Sequence, residues 1–313
     1  MQEINIFNLL SFLLYSGYGI ILSNTQQEEC LMYIKSLKLT SDEAEIKFIK
    51  DLKQTCYNGV YPFKIFSMKD LKKVEFAPIT IFYGGNGSGK TTLLNILAQL
   101  SGVTRHSAFN SSAFFDDYAG FCSLECGKIP IGSQILTSDD VTDYLLNMRQ
   151  LNDGIDVRRK ELFSEYLDRK HSTSQLTSMA DYDDWKESLD AKKKTQSQYV
   201  RERLMRNVDM QSNGETAMKY YVERITENAL YLIDEPENSL SAALQKELTE
   251  FIYSSARYFG CQFVIATHSP FFLAMKGAKI YNLDSYPAQV CKWTELENVR
   301  VYYDFFKEHE NEF

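Results

Sequence analysis

Apolar residues in this chain come in two kinds of run, and each kind predicts a different element. Ile79-Thr80-Ile81-Phe82-Tyr83, Leu230-Tyr231-Leu232-Ile233 and Cys261-Gln262-Phe263-Val264-Ile265-Ala266 are nearly continuous, rich in β-branched or aromatic residues, and strand-sized. Thr92 to Leu100 instead places Leu93, Leu94, Ile96, Leu97 and Leu100 at helical spacing, with Gly102 positioned to end the helix. Val141, Leu145, Leu146 and Met148 form one helical face, which Asn152-Asp153-Gly154 is expected to stop. Val157 to Lys170 and Trp185 to Met210 continue the helical pattern. Ser172-Thr173-Ser174-Gln175 separates them as the most linker-like run in the chain.

Ile4 to Gln27 carries no charge and is long enough for a membrane span of about twenty residues. Asn5, Asn8, Ser11, Ser16, Gly17 and Gly19 dilute that run, and no Lys or Arg precedes it as a secretory signal requires. A third reading fits better. Purine-rich triplets containing a ribosome-binding site can encode Gln27-Glu28-Glu29, and Met32 follows at a suitable distance. Residues 1–31 are then an N-terminal extension of leader type, and no membrane association is expected.

Composition narrows the class without naming a function. Of 313 residues, 44% are hydrophobic and 24% charged, which excludes wholesale disorder. A net charge of −8 argues against a surface that is everywhere a nucleic-acid footprint, while leaving room for a local basic stripe. The six cysteines are too sparse for a disulfide scaffold, and Cys122 and Cys126 lack a nearby second pair to complete a zinc site. A cytoplasmic protein is expected.

The chemistry sits where the strand-like runs end. Gly84-Gly85-Asn86-Gly87-Ser88-Gly89-Lys90-Thr91 matches the G-x-x-x-x-G-K-[ST] phosphate loop in full, with a strand before it and a helix after it. Such a turn aims backbone N–H groups and a helix N-terminus at an anion. The expected ATP site comprises Gly84 to Thr92. Lys90 would reach the β- and γ-phosphates, and the Thr91 hydroxyl would ligate Mg²⁺. The Leu230 run ends in Asp234-Glu235: Asp234 suits Mg²⁺, and Glu235 suits a general base that orients the attacking water. His268, at the tip of the Cys261 run, is expected to sense the γ-phosphate.

Taken in order with Gln211-Ser212-Asn213-Gly214-Glu215, these motifs resemble the ABC-type P-loop ATPases. The pentapeptide looks like a variant of the Leu-Ser-Gly-Gly-Gln signature that keeps the serine and second glycine but carries Asn213 for the first glycine. Asp-Glu-Pro-Glu-Asn, Ala-Thr-His-Ser-Pro-Phe and Ile280-Tyr281-Asn282-Leu283-Asp284 look more like the SMC, RecF and OLD branch, and especially its small bacterial AAA-domain ATPases. The resemblance implies an α/β, P-loop NTPase, ABC-type head with a mixed sheet, split by a helical lobe. Residues 32–105 would form its first part, 106–227 the lobe carrying the signature, and 228–313 its second part. It also implies a homodimer that sandwiches two nucleotides, Ser212 and the Gly214 backbone of one copy meeting the γ-phosphate held by the other. Asn238-Ser239-Leu240-Ser241 falls where the family's D-loop lies. A Q-loop is expected at the Ile135 to Asp140 junction, although no glutamine ends it. Tyr61, Phe63 and Phe66 are open candidates for stacking on adenine, each read first as a sheet residue.

Lys192-Lys193-Lys194 with Arg201, Arg203 and Arg206 make the approach to the signature basic. Those residues read first as a solvated face balanced by neighbouring acids, second as a DNA contact. Two roles stay open for the chain: an ATPase acting on DNA in repair or phage defence, or a nucleotide-dependent switch that holds an effector protein such as a nuclease or toxin.

Overall fold

The computed structural model describes residues 32–52, 56–57, 59–172, 179–208 and 212–313. The apolar segment before Met32, residues 173–175 of the linker-like run, Met210 and Gln211 lie outside the described residues, and the leader reading lies there with them.

In chain order come β1 (Ile34–Lys38), α1 (Asp42–Asp51), β2 (Lys73–Glu75), β3 (Ile79–Tyr83), α2 (Lys90–Ser101), α3 (Phe115–Phe121), β4 (Ser123–Cys126) and β5 (Gln134–Thr137). A helical stretch follows: α4 (Ser138–His171), α5 (Tyr182–Lys193), α6 (Gln196–Arg203) and α7 (Asn213–Arg224). The chain then runs through β6 (Leu230–Asp234), α8 (Ala242–Tyr258), β7 (Gln262–Ala266), the single turn α9 (Pro270–Leu273), β8 (Lys279–Asn282), β9 (Gln289–Cys291) and α10 (Glu297–Glu308).

The main sheet has six strands in the order β5-β6-β7-β3-β8-β9. Neighbours from β5 to β8 pair in parallel, and β9 returns antiparallel to β8, so the sheet is mixed as expected. Every residue of β3, β6 and β7 is buried, because helices cover both faces. Alternation along these strands divides their side chains between two cores. Phe82, Leu232 and Val264 pack with Leu93 and Leu97 of α2, while Ile81, Ile233 and Ile265 pack with Ala217 of α7 and Leu248 of α8.

A three-stranded antiparallel sheet, β2-β1-β4, lies beside the main one. Gln262 joins the two. Its buried Oε1 accepts from the backbone N–H groups of Tyr33 and Ile34, both at 2.9 Å, and its Nε2 donates to the carbonyls of Ile34 and Ala77. All four hydrogen-bonding positions of the amide are filled, which is what makes a glutamine tolerable inside an apolar strand.

Three expectations for the helical segment change. Residues 106–137 supply α3, β4 and β5, and β4 and β5 pair with head strands, so the helical insert starts at Ser138. The helix also does not stop at Asn152-Asp153-Gly154; α4 runs through to His171, 34 residues and about 50 Å in all. Asn152 makes its side-chain bonds elsewhere, donating to Val208 O at 2.9 Å and accepting from Val208 N at 2.8 Å, so it does not compete for its own backbone. Leu162 and Tyr166 of α4 build a small core with Ala191, Tyr199 and Val200, the burial that carries the helix through Gly154. Trp185 to Met210 is also not one helix: Thr195 starts a new capping box that separates α5 from α6. No helix among the described residues is long and apolar enough to cross a membrane.

Candidate functional site

Parallel register brings the predicted groups together. Asp234 pairs with Ala266, and Ala266 with Phe82, so β6, β7 and β3 end side by side. Beyond these ends Glu235 N donates to Ala266 O and Thr267 N to Phe82 O. Crevices at such strand ends are where open α/β sheets hold ligands.

The phosphate-loop segment turns from β3 into α2 through Gly84 to Gly89. Two of its glycines are required sterically. A Cβ on Gly84 would lie 2.5 Å from Ser88 Oγ. Gly89, at φ +98°, is the N-terminal flank of α2 and leaves no room for a Cβ against Ile65. The buried Lys90 donates from Nζ to the carbonyls of Gly84 (2.7 Å) and Gly85 (3.0 Å), and stands 3.8 Å from Glu235 Oε1. The hydroxyl of Ser88 is buried without a partner. Thr91 is exposed, while the buried Thr92 shares its hydroxyl with Tyr61 Oη at 2.9 Å.

Asp234 is buried and its Oδ1 has no hydrogen-bond partner. Burial pushes its carboxyl up to about 6, with the Thr91 side chain and Lys90 acting against that shift and Glu235 adding to it. A carboxylate oxygen left unsatisfied next to a threonine hydroxyl is a donor set that fits Mg²⁺, a hard cation that takes oxygen ligands. Glu235 follows at φ +47° and is held by Asn238 Nδ2, which donates to its Oε2 at 3.1 Å. His268 meets Glu237, whose Oε1 lies 3.2 Å from the ring Nδ1.

Ser212 and Gly214 are engaged with their own chain. Ser212 caps α7, donating from Oγ to Glu215 Oε2 at 2.7 Å and accepting from Glu215 N at 3.3 Å. The Ser212 hydroxyl and backbone N–H hold the Glu215 carboxyl below its ordinary range. Asn213, in the place of the expected glycine, accepts from Arg149 of α4 at 2.9 Å. A Cβ on Gly214 would sit 2.9 Å from Leu244 and 3.5 Å from Ser239 O, so this glycine lets α7 close onto the Asn238–Ser241 segment. The Ile135–Asp140 junction is a strand-to-helix turn, closed by a capping box between Thr137 and Asp140. Gln134 lies at the far end of β5 and donates to Arg224 O.

The aromatic candidates are not sheet residues: Tyr61, Phe63 and Phe66 occupy a turn. Phe63 stacks on Phe48 at 4.6 Å and is buried, as is Phe66, whereas Tyr61 is half-buried at the start of α2. Among the basic residues, Lys194 pairs with Asp190 and Glu202, and Arg203 pairs with Asp190 while lying 3.7 Å from the Tyr199 ring centroid. Lys193, Arg201 and Arg206 remain exposed. The arrangement agrees with a helical face balanced by its own acids.

Sequence reasoning missed several groups at the site. Asp284, beyond β8, accepts from Gly85 N at 2.7 Å. Lys69 donates to Leu283 O; burial pushes its ammonium down, and Asp284 resists that. Arg105 lies over Phe109 and donates to Asn95, burial lowering its pKa against the carboxylates of Asp140 and Asp234. Asp284 closes the Ile280–Asp284 motif, which by itself gives it no partner, and Lys69 and Arg105 belong to no recognisable motif.

Residues 214–274 match the family described as "AAA domain, putative AbiEii toxin, Type IV TA system". No curated protein matches the chain. Among solved structures, the chain is similar to the Smc head domain with an extended coiled coil, bound to the C-terminal domain of ScpA, from Pyrococcus furiosus. That likeness has 12% identity over 90% of this chain and 100% of the other, with a TM-score of 0.40. The SMC head domain from Thermotoga maritima gives 11% identity over 83% and 99%, with a TM-score of 0.36. "An inward-facing conformation of a putative metal-chelate type ABC transporter" gives 18% over 74% and 80%, with a TM-score of 0.34. The matched stretch spans the ends of β6 and β7, where Asp234, Glu235 and His268 stand, and in the order of its motifs the chain is similar to the ABC-type P-loop ATPases of the SMC/RecF branch.

Proposed function

We propose that this chain binds ATP with Mg²⁺ and hydrolyses it as one half of a cytoplasmic homodimer that sandwiches two nucleotides. The observation that carries the reading is Asp234: a buried carboxylate beside Thr91 whose Oδ1 has no hydrogen-bond partner, at the end of the strand that brings Glu235 to within 3.8 Å of Lys90. Uncompensated, such a group costs several kcal/mol, on the order of what a bound cation can offset.

The backbone from Gly84 to Thr92 cradles the phosphates, and Lys90 draws negative charge from the γ-phosphoryl oxygens. Thr91 and Asp234 would hold Mg²⁺, which would supply Lewis-acid charge to the phosphoryl group. Glu235 accepts a proton from the water whose oxygen bonds to the γ-phosphorus as the β–γ bridging bond breaks. His268 contacts the γ-phosphate, and Ser212 with the Gly214 backbone is offered to the nucleotide on the partner copy. Glu235→Gln is expected to retain ATP, lose turnover and accumulate dimer, read by light scattering with ATP and Mg²⁺. Normal turnover in that variant would sink the general-base assignment.

The work done by this cycle is proposed to fall on DNA, in repair or defence. A second reading, a switch that holds and releases an effector protein, is favoured by one observation: Lys194 and Arg203 are already neutralised by Asp190 and Glu202. ATPase activity stimulated by DNA, and lost on replacing Lys192, Lys193 and Lys194, supports the first. Unchanged DNA response with a stable ATP-dependent protein complex supports the second.

A further inference from the structure

Glu237 has no role in the chemistry above, yet its Oε1 gathers the polar groups of the neighbouring turn while its buried Oε2 has no hydrogen-bond partner. It lies in the turn after β6, three residues beyond Asp234, and is about nine-tenths buried. Its Oε1 accepts from Thr267 Oγ1 at 2.7 Å and from His268 N at 2.9 Å, and it faces His268 Nδ1 at 3.2 Å. Two hydrogen bonds from the turn after β7 therefore converge on one oxygen from the turn after β6, and the His268 ring Nδ1 lies within reach of the same oxygen. The His268 side chain is 45% exposed, so the imidazole is anchored at its base and open at its other edge.

We propose that Glu237 is the positioning residue for His268: it takes the Nδ1–H, fixes the ring's rotation and leaves Nε2 as the nitrogen that meets the nucleotide. The inference rests on the reading of His268 as the γ-phosphate contact. A neutral imidazole carries its proton on either nitrogen, and a carboxylate acceptor at Nδ1 selects one tautomer and one orientation. The backbone bond to His268 N holds the same residue from a second direction. On its other side Asn298 Nδ2 donates to His268 O at 2.9 Å, and Asn298 N donates to Tyr83 Oη at 3.2 Å, so the histidine's main chain is braced from α10 and β3. Rotation about the side chain is the freedom that remains, and Glu237 removes it. Glu235 cannot do this, because its own carboxylate is turned to Lys90 and Asn238.

The test is a double-mutant cycle of Glu237→Ala and His268→Ala, measured by single-turnover cleavage of Mg-ATP with the full chain and by ATP dissociation constants. Each single variant is expected to slow cleavage by roughly 10- to 100-fold, with ATP affinity within about threefold of the parent. The double variant is expected to be no slower than the slower single, because both remove one device. Additive losses, or affinity falling in step with rate, would overturn the proposal in favour of a purely structural staple. A slow His268→Ala beside a normal Glu237→Ala would overturn this inference alone, whereas a normal His268→Ala removes the underlying histidine reading as well. If Glu237→Ala does not fold, Glu237→Gln carries the test, since it keeps an acceptor oxygen for Nδ1–H. Its rate should stay within about fivefold of the parent, with the Nδ1–H bond visible in the ¹⁵N spectrum of His268. A large loss of rate with that bond intact would overturn the proposal.

Discussion

Lys90 Nζ lies 3.8 Å from Glu235 Oε1 while donating to the carbonyls of Gly84 and Gly85. One ammonium thus ties the first turn of the phosphate loop to the carboxylate that follows β6. The two residues stand 145 positions apart in the sequence, at 90 and 235, and follow the ends of β3 and β6.

Lys90→Ala should lower ATP affinity by roughly two orders of magnitude, because it removes the charge that faces the phosphates and unties the loop carbonyls. Titration with a fluorescent ATP analogue measures this. Affinity retained within a few-fold would mean that the phosphates do not bind at Lys90. Glu235→Gln in the same assay should keep its affinity, separating binding from turnover.

Asp234→Asn should raise thermal stability while losing Mg²⁺-dependent turnover. A folded-state pKa of about 6 against an ordinary value of 3.8 means the native protein binds the extra proton more tightly than the unfolded chain does. Stability from this group is fully present below about pH 4 and is lost as pH rises through about 6. Near pH 7 the substitution should therefore stabilise by on the order of 1–3 kcal/mol, and flatten the parent's decline between pH 4 and 6. Chemical denaturation across that range, without Mg²⁺ or nucleotide, is the check; an equal or less stable variant at pH 7 contradicts the burial argument.

Asn152→Ala should destabilise the chain by about 1–3 kcal/mol even though alanine is the better helix former. The loss comes from leaving the N–H and C=O of Val208 without the two side-chain bonds that tie them to α4. Calorimetry tests the stability, and faster proteolysis near residue 208 would localise it. A gain in stability would show that helix propensity outweighs the tether.

Asp190 links Lys194 of its own turn to Arg203 of α6, and these two hydrogen-bonded cations hold its carboxyl below the ordinary carboxylate range. The contribution of a depressed carboxylate is present above the unfolded value near 3.8 and lost as pH falls below it. Asp190→Ala should cost about 0.5–1 kcal/mol at pH 7, the scale of exposed pairs, and progressively less as the carboxyl is protonated in acid. If the substitution instead strengthened DNA binding at low salt, the released Lys194 and Arg203 would account for it.

Much of the head could be read along the chain because its signals are local. β3, β6 and β7 announce themselves as apolar runs, since strands buried on both faces leave no polar positions to interrupt them. Lys90, Asp234, Glu235 and His268 each sit just past such a run, where the register of a parallel sheet must gather them. The helical insert was less legible. Asn152-Asp153-Gly154 carries the composition of a helix stop, and only the bonds from Asn152 to Val208 and the Leu162–Tyr166 core override it. Likewise β4 and β5 are four residues each, too short for a periodic signal, and are identified by the strands they pair with.

By itself the sequence determined the phosphate loop, the strand that leads into it, and which residue types stand at the ends of three buried strands. Those are consequences of contiguous chemistry: glycines that clear space, an apolar run, a carboxylate or imidazole at its tip. Tertiary structure alone decided which partner each group keeps. It put Glu237 under His268, Asp284 against Gly85, Gln262 between the two sheets, and Asp190 between Lys194 and Arg203. A hydrogen bond depends on separation in space, and most of these pairs are joined by turns and strand order that no local pattern of residues encodes.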